Sequence, residues 1–292
     1  MADVEIELVV TDLDGTLWTT DARIPDETRA AVRRFETAGI PVIIATGRRA
    51  GSTRGPLVDT GWLPPAVLLN GALGVDLTTQ HRFHRGGYER DDATAVLDAF
   101  LAVGIEPCIY VDDGEIEVCV GATPASHHDH VASFGAAVAT VELAEVTESR
   151  HVLGFSVLGM DEQAARTVTD ALAGIGTPHL APDRIYGGHS LTVAPPSASK
   201  WDGVTAFCAS RGIDPARVLA IGDGPNDLEL LAHAAVAVVP VDGRPEAVAL
   251  ADHVVGPAAE AGWAELLDIV GIGARTSTPD RSMPDRSTPG SR

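Results

Sequence analysis

Leu8-Val9-Val10-Thr11-Asp12-Leu13-Asp14-Gly15-Thr16-Leu17 runs four apolar or β-branched residues straight into two nearby carboxylates, with a glycine directly behind them. The apolar run is too short for a helix and has the valine-rich composition of a buried parallel strand. Asp12 then stands at the strand's carboxyl end, and Asp14-Gly15 marks the turn out of the sheet. In open α/β sheets that edge is where ligands bind. Two carboxylates side by side repel each other unless a cation or a shared proton intervenes, which marks the pair for chemistry. Taken alone, Asp-x-Asp-Gly is equally an ordinary acidic turn. A calcium loop is excluded, because the position that requires glycine holds Leu17.

Outward from this strand the pattern repeats. Pro25-Asp26-Glu27-Thr28 predicts a helix start whose acidic first turn suits the helix dipole, with Ala31, Val32 and Phe35 on one face and Gly39 at the end. Pro41-Val42-Ile43-Ile44-Ala45 predicts a second buried strand running into Thr46-Gly47-Arg48. Ala66-Val67-Leu68-Leu69 predicts a third, ending in Asn70-Gly71. Strand, helix, strand, helix, strand at this spacing is the pattern of a doubly wound parallel α/β sheet.

From about residue 75 the rhythm changes. Short strand-like runs at 105–111, 115–119 and 151–158 alternate with helix-like runs at 91–103 and 161–173, and Asp112-Asp113-Gly114 reads as a hairpin turn. The expectation is an inserted α+β cap domain over 76–188, between core segments 1–75 and 189–273. The arginine-, serine- and proline-rich stretch 274–292 has too few apolar residues to build a core and is expected to be disordered.

The 292 residues carry a formal net charge of −20. That balance argues against nucleic-acid backbones and anionic membrane surfaces as partners, so an anionic small substrate needs a local positive group or a metal. No apolar run approaches the roughly 18 residues of a membrane span. Cys108, Cys119 and Cys208 lack metal-ligand spacing and read as buried reduced thiols of a cytoplasmic protein.

Asp12/Asp14, Thr46, Lys200 and Asp223/Asp227 all stand at or beside the ends of expected strands. Phosphoryl transfer uses such parts: an in-line nucleophile, a divalent cation, donors for the equatorial oxygens, and an acid for the leaving oxygen. Asp12 is placed as the nucleophile, and Asp14 as the group that protonates the leaving alcohol and later takes a proton from water. Magnesium suits oxygen ligands from Asp12, Asp223 and the Asp14 carbonyl, with Asp227 accepting from metal-bound water. Thr46 offers a hydroxyl and a backbone N–H to a phosphate oxygen. Lys200 is the only lysine in the chain. A sequence otherwise committed to arginine keeps a lysine where a compact point charge is wanted.

Asp-Leu-Asp-Gly-Thr, Ala-Thr-Gly-Arg, Lys200 and Gly-Asp-Gly-Pro-Asn-Asp, in that order, resemble the four motifs of the haloacid dehalogenase superfamily of phosphatases. The insertion between the second and third motifs, with Asn70-Gly71 ahead of it, resembles the Cof-type branch, which carries a mobile α/β cap. The resemblance implies a Rossmann-like core and a magnesium-dependent phosphohydrolase that acts on small phosphate monoesters through an aspartyl-phosphate. It places Thr46, Gly47, Arg48, Asn70, Lys200 and Asn226 around the substrate, and Asp12, Asp14, Asp223 and Asp227 around the metal. A phosphomutase of the same fold and a non-catalytic phospho-ligand-binding module are the alternatives. One departure is Trp201, where relatives of this kind carry glycine; it is expected to narrow the site or repack the helix start. His127-His128-Asp129-His130 is expected to be a solvated loop rather than a metal site.

Overall fold

The computed structural model describes residues 5–272, apart from 173, 184 and 197. The expected disordered tail therefore lies outside the described residues. In chain order the strands are β1 (Leu8–Thr11), β2 (Val42–Ala45), β3 (Pro65–Leu68), β4 (Leu73–Asp76), β5 (Arg82–Arg85), β6 (Cys108–Asp113) and β7 (Ile116–Val120). They continue as β8 (Val138–Thr140), β9 (Val152–Met160), β10 (Thr177–Pro182), β11 (His189–Ala194), β12 (Val218–Ile221), β13 (Val236–Pro240) and β14 (His253–Val255). The helices that matter below are α1 (Asp26–Thr37), α2 (Ala50–Val58), α3 (Arg90–Ala102), α4 (His128–Ala132), α5 (Leu143–Ser149), α6 (Glu162–Ala171), α7 (Lys200–Arg211) and α8 (Leu228–His233).

The first sheet has the order β14-β13-β12-β1-β2-β3-β4-β5 and is parallel from β14 to β3. The chain leaves β1 toward β2 on one side and later returns to β12 on the other. Strand order thus reverses at β1, and the crevice beyond its carboxyl end is where such sheets bind ligands. β1 is buried on both faces. Leu8 and Val10 pack with Val204 and Phe207 of α7, while Val9 packs in the layer of Phe35 from α1 and Trp263. Alternation along one strand thus feeds two helical layers.

A second sheet, β10-β11-β9-β6-β7-β8, forms the inserted α+β cap. One face, with Ile109, Phe155, Val157, Leu191 and Val193, packs on α3 and α6 through Val96, Phe100 and Val168. The opposite face carries the directly paired row Cys108, Ser156, Thr192 and His179 across four strands. β6 and β7 form the hairpin expected at Asp112-Asp113-Gly114, with Gly114 at φ +64°.

Sheet membership differs from the expected division at both ends of the insertion. β4 and β5 extend the first sheet antiparallel to β3, and β11 joins the second sheet between β10 and β9. Apolar alternation marks a run such as Leu191-Thr192-Val193 as a strand without saying which sheet supplies its partners. His128–Ala132 is a short helix with the His127 side chain accepting from the Asp129 N–H, not the expected loop. Among the described residues no helix is long and apolar enough to cross a membrane, and all three cysteines are buried and free.

Candidate active site

β1 ends at Thr11 and delivers Asp12 into the crevice, buried to 6 % exposure. Its backbone is fixed from two sides: the Asp12 N–H donates to Ile221 O (2.9 Å), and its carbonyl accepts from Thr11 Oγ1 (2.7 Å), itself held by Trp263 Nε1 (3.1 Å). Lys200 arrives from the far side as the first residue of α7. A reciprocal box sets that helix start: the Asp202 N–H donates to Ser199 Oγ, and the Ser199 N–H donates to Asp202 Oδ2. The Lys200 ammonium, wholly buried, donates to Asp12 Oδ1 (2.8 Å) and Asp227 Oδ1 (2.6 Å).

Asp227 Oδ2 accepts the N–H groups of Asp223 (3.1 Å) and Gly224 (2.9 Å), pinning the loop behind β12. Asp223 in turn accepts from Thr16 Oγ1 (3.2 Å). Gly15 makes that contact possible. It sits at φ +77°, and a Cβ there would lie 2.7 Å from Asp223 Oδ2. Only glycine occupies this conformation freely while letting a carboxylate so close to the backbone.

Two carboxylates, Asp12 and Asp227, thus share one buried ammonium, and a third, Asp223, lies close by. Burial pushes the Asp12 carboxyl up to about 8, with Asp227 and Asp223 adding to the rise and Lys200 opposing it. Burial, joined by Asp227, also pushes Asp223 up to about 6. Burial works to lower Lys200, but Asp12 and Asp227 outweigh it and hold the ammonium well above the ordinary lysine value. Carboxylate oxygens of Asp12, Asp223 and Asp227 lie within 4.8 Å of one another. An oxygen-only donor set with surplus negative charge suits a hard divalent cation such as magnesium. Asp227 accepts three protein donors, one from Lys200 and two from the loop backbone, which fixes its orientation beside the other two carboxylates.

Asp14 faces outward. Arg48 clamps it with Nε to Oδ2 and Nη2 to Oδ1, both 2.6 Å, and Trp18 Nε1 donates to Oδ1 at 3.1 Å beneath the guanidinium. Burial works to raise the Asp14 carboxyl, but Arg48 and Trp18 outweigh it and hold it below the usual range.

A family model described as haloacid dehalogenase-like hydrolase matches residues 9–267. The chain belongs to this family. It is 24 % identical over 246 residues to a 5-amino-6-(5-phospho-D-ribitylamino)uracil phosphatase of Bacillus subtilis, covering 77 % of this chain and 84 % of that one. It is 24 % identical to a phosphoglycolate phosphatase of Aeropyrum pernix, over 92 % and 95 % of the two chains. A solved structure of a superfamily phosphatase from Bacteroides thetaiotaomicron superposes with a TM-score of 0.73 at 21 % identity, over 93 % of this chain and 97 % of that one. This last likeness speaks to the fold.

Within this haloacid dehalogenase-like site, Thr46 corrects one expectation. Its backbone N–H donates to Val67 O (2.8 Å), continuing the β2–β3 pairing, and only the buried hydroxyl remains for a ligand. Gly47 lies against Asn70, whose Oδ1 accepts from Asn226 Nδ2 (3.0 Å). Asn70 therefore ties the second motif to the fourth. Leu69 and Asn70 hold left-handed conformations at φ +51° and +55°. Bonds from the Leu69 N–H to Arg48 O and from the Asn70 N–H to Thr46 O (both 3.1 Å) keep them there. Trp201 does not disturb the helix start, since the Ser199–Asp202 box is intact. Its ring stacks on His233 at the end of α8, 5.6 Å between centroids. Thr16, Trp18 and Trp263 are positioning residues that the sequence reading missed. Thr16 stands inside the first motif and could have been suspected, whereas nothing local marks Trp263, 252 residues from its partner.

Proposed function

We propose that this phosphatase is a magnesium-dependent hydrolase of small phosphate monoesters, sugar phosphates or similar metabolites, working through an aspartyl-phosphate on Asp12. The observation that carries the reading is the Asp12–Lys200–Asp227 triad. Lys200 holds Asp12 by Oδ1 alone, and Oδ2 has no protein donor among the described residues. A carboxylate fixed by one oxygen and open at the other is prepared for attack. Magnesium, held by Asp12, Asp223 and the Asp14 carbonyl, would neutralise charge on the phosphate oxygens.

Asp12 Oδ2 attacks phosphorus and the bond to the leaving alcohol oxygen breaks, with Lys200 and the Thr46 hydroxyl holding phosphate oxygens. Arg48 turns from Asp14 to the substrate, which lifts its hold on the carboxylate, so that Asp14 takes up a proton from solvent and delivers it to the alcohol oxygen. Water then attacks the acyl phosphate while Asp14 takes its proton, giving inorganic phosphate and restoring Asp12. Both named relatives are phosphatases of small phosphorylated compounds, in keeping with a metabolite-sized substrate.

The test is phosphate release across a panel of phosphorylated metabolites, with magnesium and with chelator. Magnesium-dependent release that D12N abolishes, without loss of folding, is the expected result. Metal-independent release would refute the assigned cation. No release from any compound would put the phosphomutase or the binding module in the hydrolase's place.

A further inference from the structure

The loop that carries Thr46, Gly47 and Arg48 ends in α2, and α2 is a poor helix. Its sequence, Ala-Gly-Ser-Thr-Arg-Gly-Pro-Leu-Val, holds two glycines and an internal proline. No acidic residue stands in its first turn, and the side chain at its N-cap, Arg49, makes no capping bond. Each of these weakens the helix, and the first-turn N–H groups still need acceptors. The acceptor comes from the other sheet. Glu117, on β7 of the cap, takes the Gly51 N–H (3.1 Å) and Arg49 Nη1 (2.6 Å) on the same oxygen, Oε2.

Three further features show that the contact is built. Arg49 and Glu117 side chains are only 12 % and 24 % exposed, so solvent screens the pair weakly. Arg49 also donates through Nη2 to Ser133 O (3.3 Å), and its guanidinium lies 5.0 Å from the Phe134 ring centroid just beyond α4. Residue 51 is glycine, and a Cβ there would stand 3.1 Å from Glu117 Oε2 and collide with the Arg49 guanidinium.

We propose that Glu117 of the cap is the N-terminal capping group of α2, so that seating of the cap and ordering of the Thr46–Arg49 phosphate loop are one event. Glu117 is then a positioning residue: it touches no substrate but sets the geometry of the loop that does. The carboxylate also places negative charge at the positive end of the helix, paired with the Arg49 guanidinium. The role of the loop rests on the phosphatase reading; the capping does not.

The experiment compares amide hydrogen exchange of residues 51–53 in the substrate-free parent, E117A and E117Q. Loss of a helix cap predicts exchange roughly fivefold faster in E117A. E117Q, which keeps an acceptor oxygen without the charge, falls between, and protection of β6 and β9 stays at the parent level. Unchanged exchange in E117A overturns the proposal. Should E117A loosen the cap sheet as well, the near-isosteric E117Q decides: faster exchange at 51–53 alone supports capping, and parent-like exchange refutes it. With p-nitrophenyl phosphate as probe, KM is expected to rise severalfold in E117A and less in E117Q, with kcat falling less than KM rises. Faster exchange with KM unmoved overturns the coupling to the loop. A parent that releases no phosphate yet shows the exchange effect refutes the phosphatase reading and leaves the capping standing.

Discussion

Replacing Lys200 with methionine keeps the length of the side chain and removes its charge. In the structure this leaves Asp12 and Asp227 facing an apolar thioether, each having lost a buried bond of 2.8 and 2.6 Å respectively. A charge-assisted hydrogen bond contributes about 1.5–3 kcal/mol, and removing one partner of a buried ion pair costs about 3–5 kcal/mol. The expected loss is therefore about 4 kcal/mol, a factor of roughly a thousand in the folding equilibrium. Urea unfolding followed by tryptophan fluorescence reads this directly, because Trp18 and Trp263 are buried beside the site. The deficit should shrink in two ways. Magnesium, by restoring positive charge near Asp12 and Asp223, should stabilise K200M more than the parent. Adding D227N to K200M removes one of the two stranded carboxylates, so the double variant should be more stable than K200M alone. A K200M protein within about 1 kcal/mol of the parent would refute the reasoning, since a buried triad that tolerates loss of its cation is not held by it.

Gly15→Ala should cost about 1–2 kcal/mol from the left-handed backbone alone. It should also lower phosphate release at least tenfold by pushing on Asp223, which stability and kinetics on one sample would separate. Arg48→Lys should leave stability within about 0.5 kcal/mol, because the Arg48–Asp14 pair is 34 % and 54 % exposed. It should nevertheless lower kcat/KM, because lysine cannot reproduce the two-oxygen clamp; unchanged kcat/KM would remove Arg48 from the site. His130 is depressed to about 4, by burial first and Arg49 second. Between pH 6.5 and 4 the unfolded chain binds a proton there that the folded chain refuses, so this contribution is present above pH 6.5 and lost as pH falls. Stability of the parent relative to H130N should therefore drop by at most about 1.4 kcal/mol per pH unit across that window and level off below it. A difference flat with pH would refute the assignment.

The core sheet was legible because its signal is local. A run such as Leu8-Val9-Val10-Thr11 is apolar on both faces, and each such run ends in a polar or glycine-rich turn that marks the carboxyl edge of a parallel sheet. The cap strands were recognisable as strands for the same reason. Their partners were not, because β-pairing is a contact between distant residues that leaves no local trace. β11 reads alike whether it pairs with β10 or follows β5, and the turn at Leu69–Gly71 leads into a β4–β5 hairpin that extends the core rather than opening the cap.

The same division runs through the site. Asp12, Lys200 and Asp227 were identifiable one by one, since a lone lysine in an arginine-rich chain and a carboxylate at a strand end are properties of single positions. What their neighbours take from them was not. The Thr46 N–H donates to Val67 O, and the Asp227 oxygens accept from Lys200 and two amides. Glu117 is the extreme case. Nothing at residue 117 distinguishes it from the other carboxylates in the chain, and its sequence clue lies 66 residues away, in a helix whose first turn lacks a cap and whose second residue is glycine. A helix that cannot satisfy its own N-terminus asks for a partner from elsewhere in the fold. When that helix begins where the proposed phosphate loop ends, the absent cap becomes a signal that sequence alone can raise and only the three-dimensional structure can answer.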